Sequence, residues 1–301
     1  MNHALKETIK TYLFERGADL VGTARADTWD TFGIVPEPSR PSSLWPPVKS
    51  VIVIGIQMPL PIVETTPSVQ HRDLYNTCNR KLDSLAFDTA RWLMRQGYAA
   101  LPLSRDGYAS IHVLIKNPRA AFSHSFAAQY AGLGHVGINN TILTREFGPR
   151  VRFVSVFTAA VLPPDDAAKQ NLCIRCGACV DMCPVDALII DKKSLRDTGV
   201  LLAKYDTHAC TEWARKLTKR GCYPCGICIK VCPVGMDRIL YERLKKTGHY
   251  RRELATAVFD TTDPFYASWN HIRRHGSSLI DESVTNVTTL EEVFRKIRDN
   301  E

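Results

Sequence analysis

The spacing of the cysteines constrains this chain more than any other feature. The run Cys173-x2-Cys176-x2-Cys179-x3-Cys183-Pro184 recurs as Cys222-x2-Cys225-x2-Cys228-x3-Cys232-Pro233. Three thiolates on a tight loop cap three irons of one cubane, and the fourth, one helical turn further on, points away toward a second. The trailing proline turns the chain out of the loop. Gly177, Ala178 and Gly226 leave room for backbone N–H groups to approach the sulfurs. Zinc ribbons use paired Cys-x2-Cys, but not this triple run closed by Cys-Pro. The spacing therefore predicts two 4Fe-4S clusters. Crossing of the fourth ligand gives Cys173, Cys176, Cys179 and Cys232 to the first, and Cys183, Cys225 and Cys228 to the second. The second cluster's last ligand stays open at this point: ferredoxin spacing nominates Cys222, and Cys210, in HACTEWARK, is an outlying alternative.

Nine of the ten cysteines fall between Cys173 and Cys232, and only Cys78 stands apart. The amino-terminal MNHALKETIKTYLFERG reads as an acid-bearing amphipathic helix, without an apolar signal core or twin arginine. No apolar run approaches the ~18–20 residues of a membrane span. These features predict a cytoplasmic protein with no membrane partner, whose thiols stay reduced and unbridged. The net charge of +8 comes without a dense Lys/Arg run, and is read as a surplus that offsets bound anionic groups.

Upstream of the cysteines the chain alternates helix and strand signals. Residues 1–17 predict a helix, and VIVIGIQM (51–58) a buried strand after a proline-rich loop. Leu74, Cys78, Leu82, Leu85, Thr89 and Trp92 recur at helical spacing up to a stop at Gly97, which puts Cys78 in the core. YAALPLS reads as a strand, AAFSHSFAAQYAGLG as a helix ending at its glycines, and VRFVSVFTAAVL (151–162) as another buried strand. Past the cysteines, MDRILYERLKK predicts a helix. The tail closes on one more, with Thr288 and Glu291 in a capping-box pattern and Leu290, Val293, Phe294 and Ile297 on one face. This predicts an α+β domain (1–162), a ferredoxin-like module (163–240) and a helical tail docking on the body (241–301). Gly132-x-Gly134-x-x-Gly137 matches the dinucleotide fingerprint on paper, but a helix precedes it and no acid lies between Glu146 and Asp165, so a Rossmann site is rejected. Some 160 residues ahead of the clusters exceed what an electron carrier needs and argue for a second cofactor or substrate site.

At this point the sequence resembles a known family. AGLG-x-x-G-x-N (Ala131 to Asn139), then Thr144, Gly148 and Arg152 in a Thr-x-x-x-Gly-x-x-x-Arg stretch, a strand and the double-cluster run are similar to the epoxyqueuosine reductases and, more distantly, the reductive dehalogenases. The resemblance spans roughly residues 1–240. It implies a nitroreductase-like domain holding cobalamin against the ferredoxin module, with Gly132, Gly134 and Gly137 close to the corrin ring. His135, Asn139, Asn140 and Arg152 become candidate cofactor contacts, with Arg150 a further candidate for the cofactor's phosphate. It also implies that the outlying cysteine before an aromatic, Cys210 ahead of Trp213, supplies the last cluster ligand in preference to Cys222.

Two departures stand out. The family carries an aspartate a dozen or so residues before AGLG as proton donor, and KNPRAAFSHSFAAQY has no acid; nor is there length for the helical-repeat domain that helps grip tRNA. The proton-donor candidates become Tyr130, His124 and Tyr108, with His112 behind them. The expected function is a reductase passing electrons from the clusters through a corrinoid to a small or nucleoside-type substrate, tRNA included, with a ferredoxin or flavodoxin as donor. The alternatives are an electron-transfer protein serving a partner's corrinoid, and a flavin-dependent reductase.

Overall fold

The structure is a computed structural model that describes residues 1–31, 35–108, 110–117, 120–166, 171–190 and 202–238. The tail helix with Thr288 and Glu291, and most of MDRILYERLKK, lie outside the described residues. The sheet strands are β1 (Leu20–Arg25), β2 (Ser50–Gln57), β3 (Ala100–Pro102) and β4 (Val151–Thr158), in the order β1-β2-β4-β3 and antiparallel throughout. Gly55 of β2 faces Leu20 on one side and Phe153 on the other.

The run VIVIGIQ is apolar without alternation because the sheet is covered on both faces. Ile52, Ile54 and Ile56 point to a core shared with helix α1 (His3–Glu15) and the long helix α2 (Val69–Arg95). Val51 and Val53 point the other way, to a core built with Trp29, Phe122, Phe153, Phe157 and helix α4 (His124–Tyr130). A short helix α3 (Ile111–Lys116) precedes α4. Ser68 caps α2 by accepting from the His71 N–H at 3.1 Å, and Gly97 follows its end with φ +85°. Cys78 is buried in the α2 core, as its place on the apolar stripe predicts.

After β4 the chain is tied back to the sheet before it enters the cysteine-rich segment. Asp165 accepts from Lys6 and Lys10 at 2.7 Å each and from the Thr23 N–H at 2.8 Å. The far end of that segment is anchored by a second, fully buried pair, Arg238 Nη1 to Glu64 Oε1 at 2.7 Å. Removing one charge of a buried pair strands the other in low dielectric. Glu64→Gln is therefore expected to cost about 3–5 kcal/mol of stability, measured as a drop in the unfolding midpoint of the cluster-loaded protein.

Candidate functional site

The cysteines assemble in two neighbouring groups. Cys179 is pushed up to about 12, first by burial and then by the adjacent thiolates of Cys232, Cys176 and Cys173. These four also line one small cleft together with Ile138, Asn139 and Leu143. Cys225 is pushed up to about 12, again by burial first, with Cys210 and Cys183 as its thiol neighbours. Cys228 is raised well above the ordinary thiol value by burial and then by Cys225, Cys210, Cys179 and Cys183. Cys232 thus neighbours thiols of the first motif, and Cys183 thiols of the second. Cys222 is buried with Leu217 against Trp213, Tyr223 and Cys225, its Sγ donates to the Arg220 carbonyl at 3.4 Å, and Arg72 and Arg220 lie near it. Gly177 and Gly226, both at left-handed φ, open the one-turn helices Ala178–Asp181 and Ile227–Lys230 that carry Cys179 and Cys228.

The α+β region grips the second motif by its backbone. Thr66 Oγ1 donates to the Cys225 carbonyl in a short bond, which leaves the Thr66 oxygen to accept from His71 Nδ1 at 3.0 Å. That fixes the proton of neutral His71 on Nδ1, and burial holds the ring at a pKa of about 4. Asn139 Nδ2 donates to the Cys228 carbonyl at 3.4 Å and Asn140 Nδ2 to the Ala203 carbonyl at 3.1 Å. Arg150, wholly buried, forks onto both oxygens of Asp237 at 2.7 Å and donates to the carbonyls of Val234 (2.6 Å), Cys232 (3.1 Å) and Ile229 (3.3 Å).

These bonds correct several expectations. Asn139 and Asn140 each give an amide N–H to the cluster segment. Gly132 and Gly134 do permit a close approach, but to the chain itself: a Cβ would stand 2.2 Å from the Asp166 carbonyl oxygen and 2.1 Å from that of Leu143. Gly137 faces the Leu143 side chain in the same way. His135 is half-buried in a two-residue hairpin opposite Leu143. Arg152 is turned inward, bonded to Asn79 Oδ1 (3.1 Å) and Asp106 Oδ1 (2.8 Å) and stacked 4.4 Å over the Tyr75 ring. Arg150 is a buried clamp and not a phosphate contact. Of the proton-donor candidates, His124 has both ring nitrogens engaged, Nδ1 with Ser155 Oγ (2.9 Å) and Nε2 with the Ser104 carbonyl (3.0 Å), and burial holds it neutral with a pKa of about 4. Tyr130 is a core ring, edge-on to Trp29 at 4.8 Å. His112 is exposed on α3.

Tyr108 lines a cavity. This space, about 370 Å³, opens between α2, the loop after β3 and the cluster segment, and is lined by Tyr75, Asn79, Asp106, Tyr108, Thr218 and Tyr223 among others. The Tyr108 and Tyr223 hydroxyls are 2.9 Å apart, and burial pushes Tyr108 up to about 12. Tyr75 donates to Asp106 Oδ1 at 3.1 Å, and Arg105 and Arg152 flank the same carboxylate. Tyr223 sits in the sequence between Cys222 and Cys225, so the cavity abuts the second thiol group. Sequence reading passed over Asp106, Tyr75 and Tyr223. Their signal was positional: an Arg-Asp-Gly turn directly after a predicted strand, and a tyrosine inside a cluster motif.

Residues 172–235 match the family described as the 4Fe-4S double cluster binding domain. The tetrachloroethene reductive dehalogenase of Desulfitobacterium hafniense is 30% identical over 147 residues, 48% of this chain and 24% of that protein. The epoxyqueuosine reductase of Bacillus subtilis is 25% identical over 209 residues, 62% of this chain and 52% of that protein. The chain thus spans from a quarter to about half of the length of these relatives. A reductive dehalogenase structure reported as suggesting a mechanism for B12-dependent dehalogenation shares the fold, with a TM-score of 0.60 and 23% identity over 84% of this chain and 36% of its own. Among the described residues no helix is long and apolar enough to cross a membrane. In its double-cluster motif and its sequence this chain is similar to the reductive dehalogenases and the epoxyqueuosine reductases, and it shares its fold with a reductive dehalogenase.

Proposed function

We propose that the chain is an iron–sulfur reductase with two 4Fe-4S clusters, one held by Cys173, Cys176, Cys179 and Cys232 and the other by Cys183, Cys210, Cys225 and Cys228. The observation that carries this reading is the gathering of eight thiols into two adjoining sets beside a tyrosine-lined cavity. Each cluster supplies one electron at a time. Around the cavity the chain's own residues bind and orient a small ring-bearing substrate: Asn79 and Asp106 offer polar contacts, and the arginines beside Asp106 hold it in place. Tyr108 is the proton donor of this reading. Its hydroxyl lines the cavity, and its bond to Tyr223 gives a route for reprotonation. A low-potential ferredoxin or flavodoxin is the proposed electron donor. Halogenated organics and tRNA or nucleoside-type compounds are the proposed substrate classes, since tetrachloroethene and epoxyqueuosine figure in the relatives' names.

The relatives make a corrinoid the expected second cofactor, within a nitroreductase-like α+β shell, and no step above runs through it. A second reading sends the electrons to a corrinoid held by a partner protein. Nothing found supports a flavin. Metal analysis of anaerobically purified protein, after incubation with cobalamin, separates these. About eight irons with one cobalt per chain supports the reductase with its own cofactor. The same iron without cobalt supports the electron-transfer reading, and zinc in place of iron overturns both. With reduced methyl viologen as donor and a panel of haloorganics and an epoxyqueuosine-bearing stem-loop as acceptors, Tyr108→Phe is expected to keep its iron and lower turnover by at least about 100-fold. Unchanged turnover would remove Tyr108 from the chemistry.

A further inference from the structure

We infer that Arg150 sets the reduction potential of the cluster ligated by Cys232, and of that cluster selectively. The inference rests on the cluster reading above. A 4Fe-4S cluster with four thiolate ligands gains one negative charge on reduction, so a fixed cation nearby stabilises the reduced state and raises the potential. Such a charge counts most where water is absent, and the Arg150 side chain is 0% exposed. Its Nη1 donates to the carbonyl of Cys232 itself at 3.1 Å, and its Nη2 to that of Val234 at 2.6 Å. The guanidinium is thus built into the backbone around Cys232, with a longer bond, 3.3 Å, to the Ile229 carbonyl beside Cys228.

The second motif's other two gripped carbonyls are treated differently. Cys225 takes a neutral threonine hydroxyl and Cys228 a neutral asparagine amide. Asp237 grips Arg150 through both oxygens, and so moderates the field that Arg150 projects. Lys230, which reaches the Thr66 carbonyl at 3.5 Å, stays in place in every variant below.

The step concerned is a one-electron reduction of each cluster by dithionite, with no bond made or broken and no proton moved. It is read as an EPR-monitored redox titration of the cluster-loaded protein. Arg150→Met is expected to lower the potential of one cluster by at least a tenfold change in reduced-to-oxidised ratio at fixed poise, 59 mV for one electron, and to leave the other within twofold. Asp237→Asn, which keeps the cation and removes its counter-charge, is expected to shift the same cluster in the opposite direction. Arg150→Lys keeps the charge with fewer bonds, so its potential stays close to the parent's even where its thermal midpoint falls; a merely structural clamp would not separate these two readouts. If Arg150→Met fails to load iron, the raised potential of one cluster in Asp237→Asn, beside the parent-like potentials of Arg150→Lys, decides. Two clusters with unmoved potentials, or equal shifts in both, overturn the inference while leaving the cluster reading intact. Parent protein without iron would sink the cluster reading itself.

Discussion

Cys210→Ser is expected to strip one cluster from the protein, and Cys222→Ser to leave both in place. Anaerobically purified parent should carry about eight irons per chain, the Cys210 variant about four, and the Cys222 variant about eight. Simple ferredoxin spacing favours Cys222, which continues the x2 rhythm of its motif. The fold separates the two thiols by their company. Cys210 stands among Cys183, Cys225 and Cys228, on a helix (Thr207–Lys219) whose first turn is capped by Asp206. Cys222 gives its S–H to the Arg220 carbonyl and is buried with Leu217 against Trp213, Tyr223 and Cys225. A thiol packed this way behaves as a small apolar side chain. Serine can act as a weak ligand, so Cys210→Ala serves as the stricter form of the test. Iron and acid-labile sulfide per chain, with the spin integral of the dithionite-reduced protein, give the answer. The reverse pattern, loss at Cys222 and retention at Cys210, would return the assignment to the spacing rule. Because ligands are gathered in the folded chain only, the Cys210 variants should also unfold earlier.

What could be read from the sequence was whatever repeats or alternates. The doubled cysteine run announced both thiol groups, and the unbroken apolar runs in β2 and β4 announced strands covered on both faces. Strand β1 went unseen because Gly22, Thr23 and Ala24 give no apolar run. Gly22 is small for a reason that lies elsewhere, since a Cβ there would stand 2.5 Å from the Ala131 carbonyl oxygen. The roles of Asn139, Asn140 and Arg150 were equally out of reach. Their partners are main-chain carbonyls 63 to 89 residues away, and a carbonyl carries no mark in a sequence. Asp106 was missed for another cause. The acid was sought at a fixed offset from the glycine segment, whereas the cavity is closed by a turn at the end of β3, brought there by the sheet and held by Arg105 and Arg152.

Gly148→Ala is expected to loosen the cluster segment from the sheet domain at a cost of about 3–5 kcal/mol, among the largest single-residue effects a glycine can show. Two penalties combine. Gly148 has φ +54°, a conformation that costs an L-residue about 1 kcal/mol or more. A methyl group there would also stand 1.9 Å from the Val234 carbonyl oxygen and 3.1 Å from Arg150 Nη2. Neither side can yield cheaply. The Gly148 loop is closed by paired backbone bonds with Thr144, each 2.9 Å long, and the Val234 carbonyl is held by Arg150 at 2.6 Å. Relief therefore requires giving up Arg150's bonds to the segment that carries Cys232. Gly97→Ala isolates the first penalty, because Gly97 is also left-handed, at φ +85°, but a Cβ there meets nothing within 4 Å. Its expected cost is about 1 kcal/mol. Unfolding followed by circular dichroism, with iron retention after anaerobic gel filtration, compares the two. Equal midpoints would mean that Val234 does not press on Gly148 and that the cluster segment is not seated on the sheet domain through this contact. A lower midpoint and lost iron in the Gly148 variant alone would show that seating to be part of what keeps the clusters in the protein.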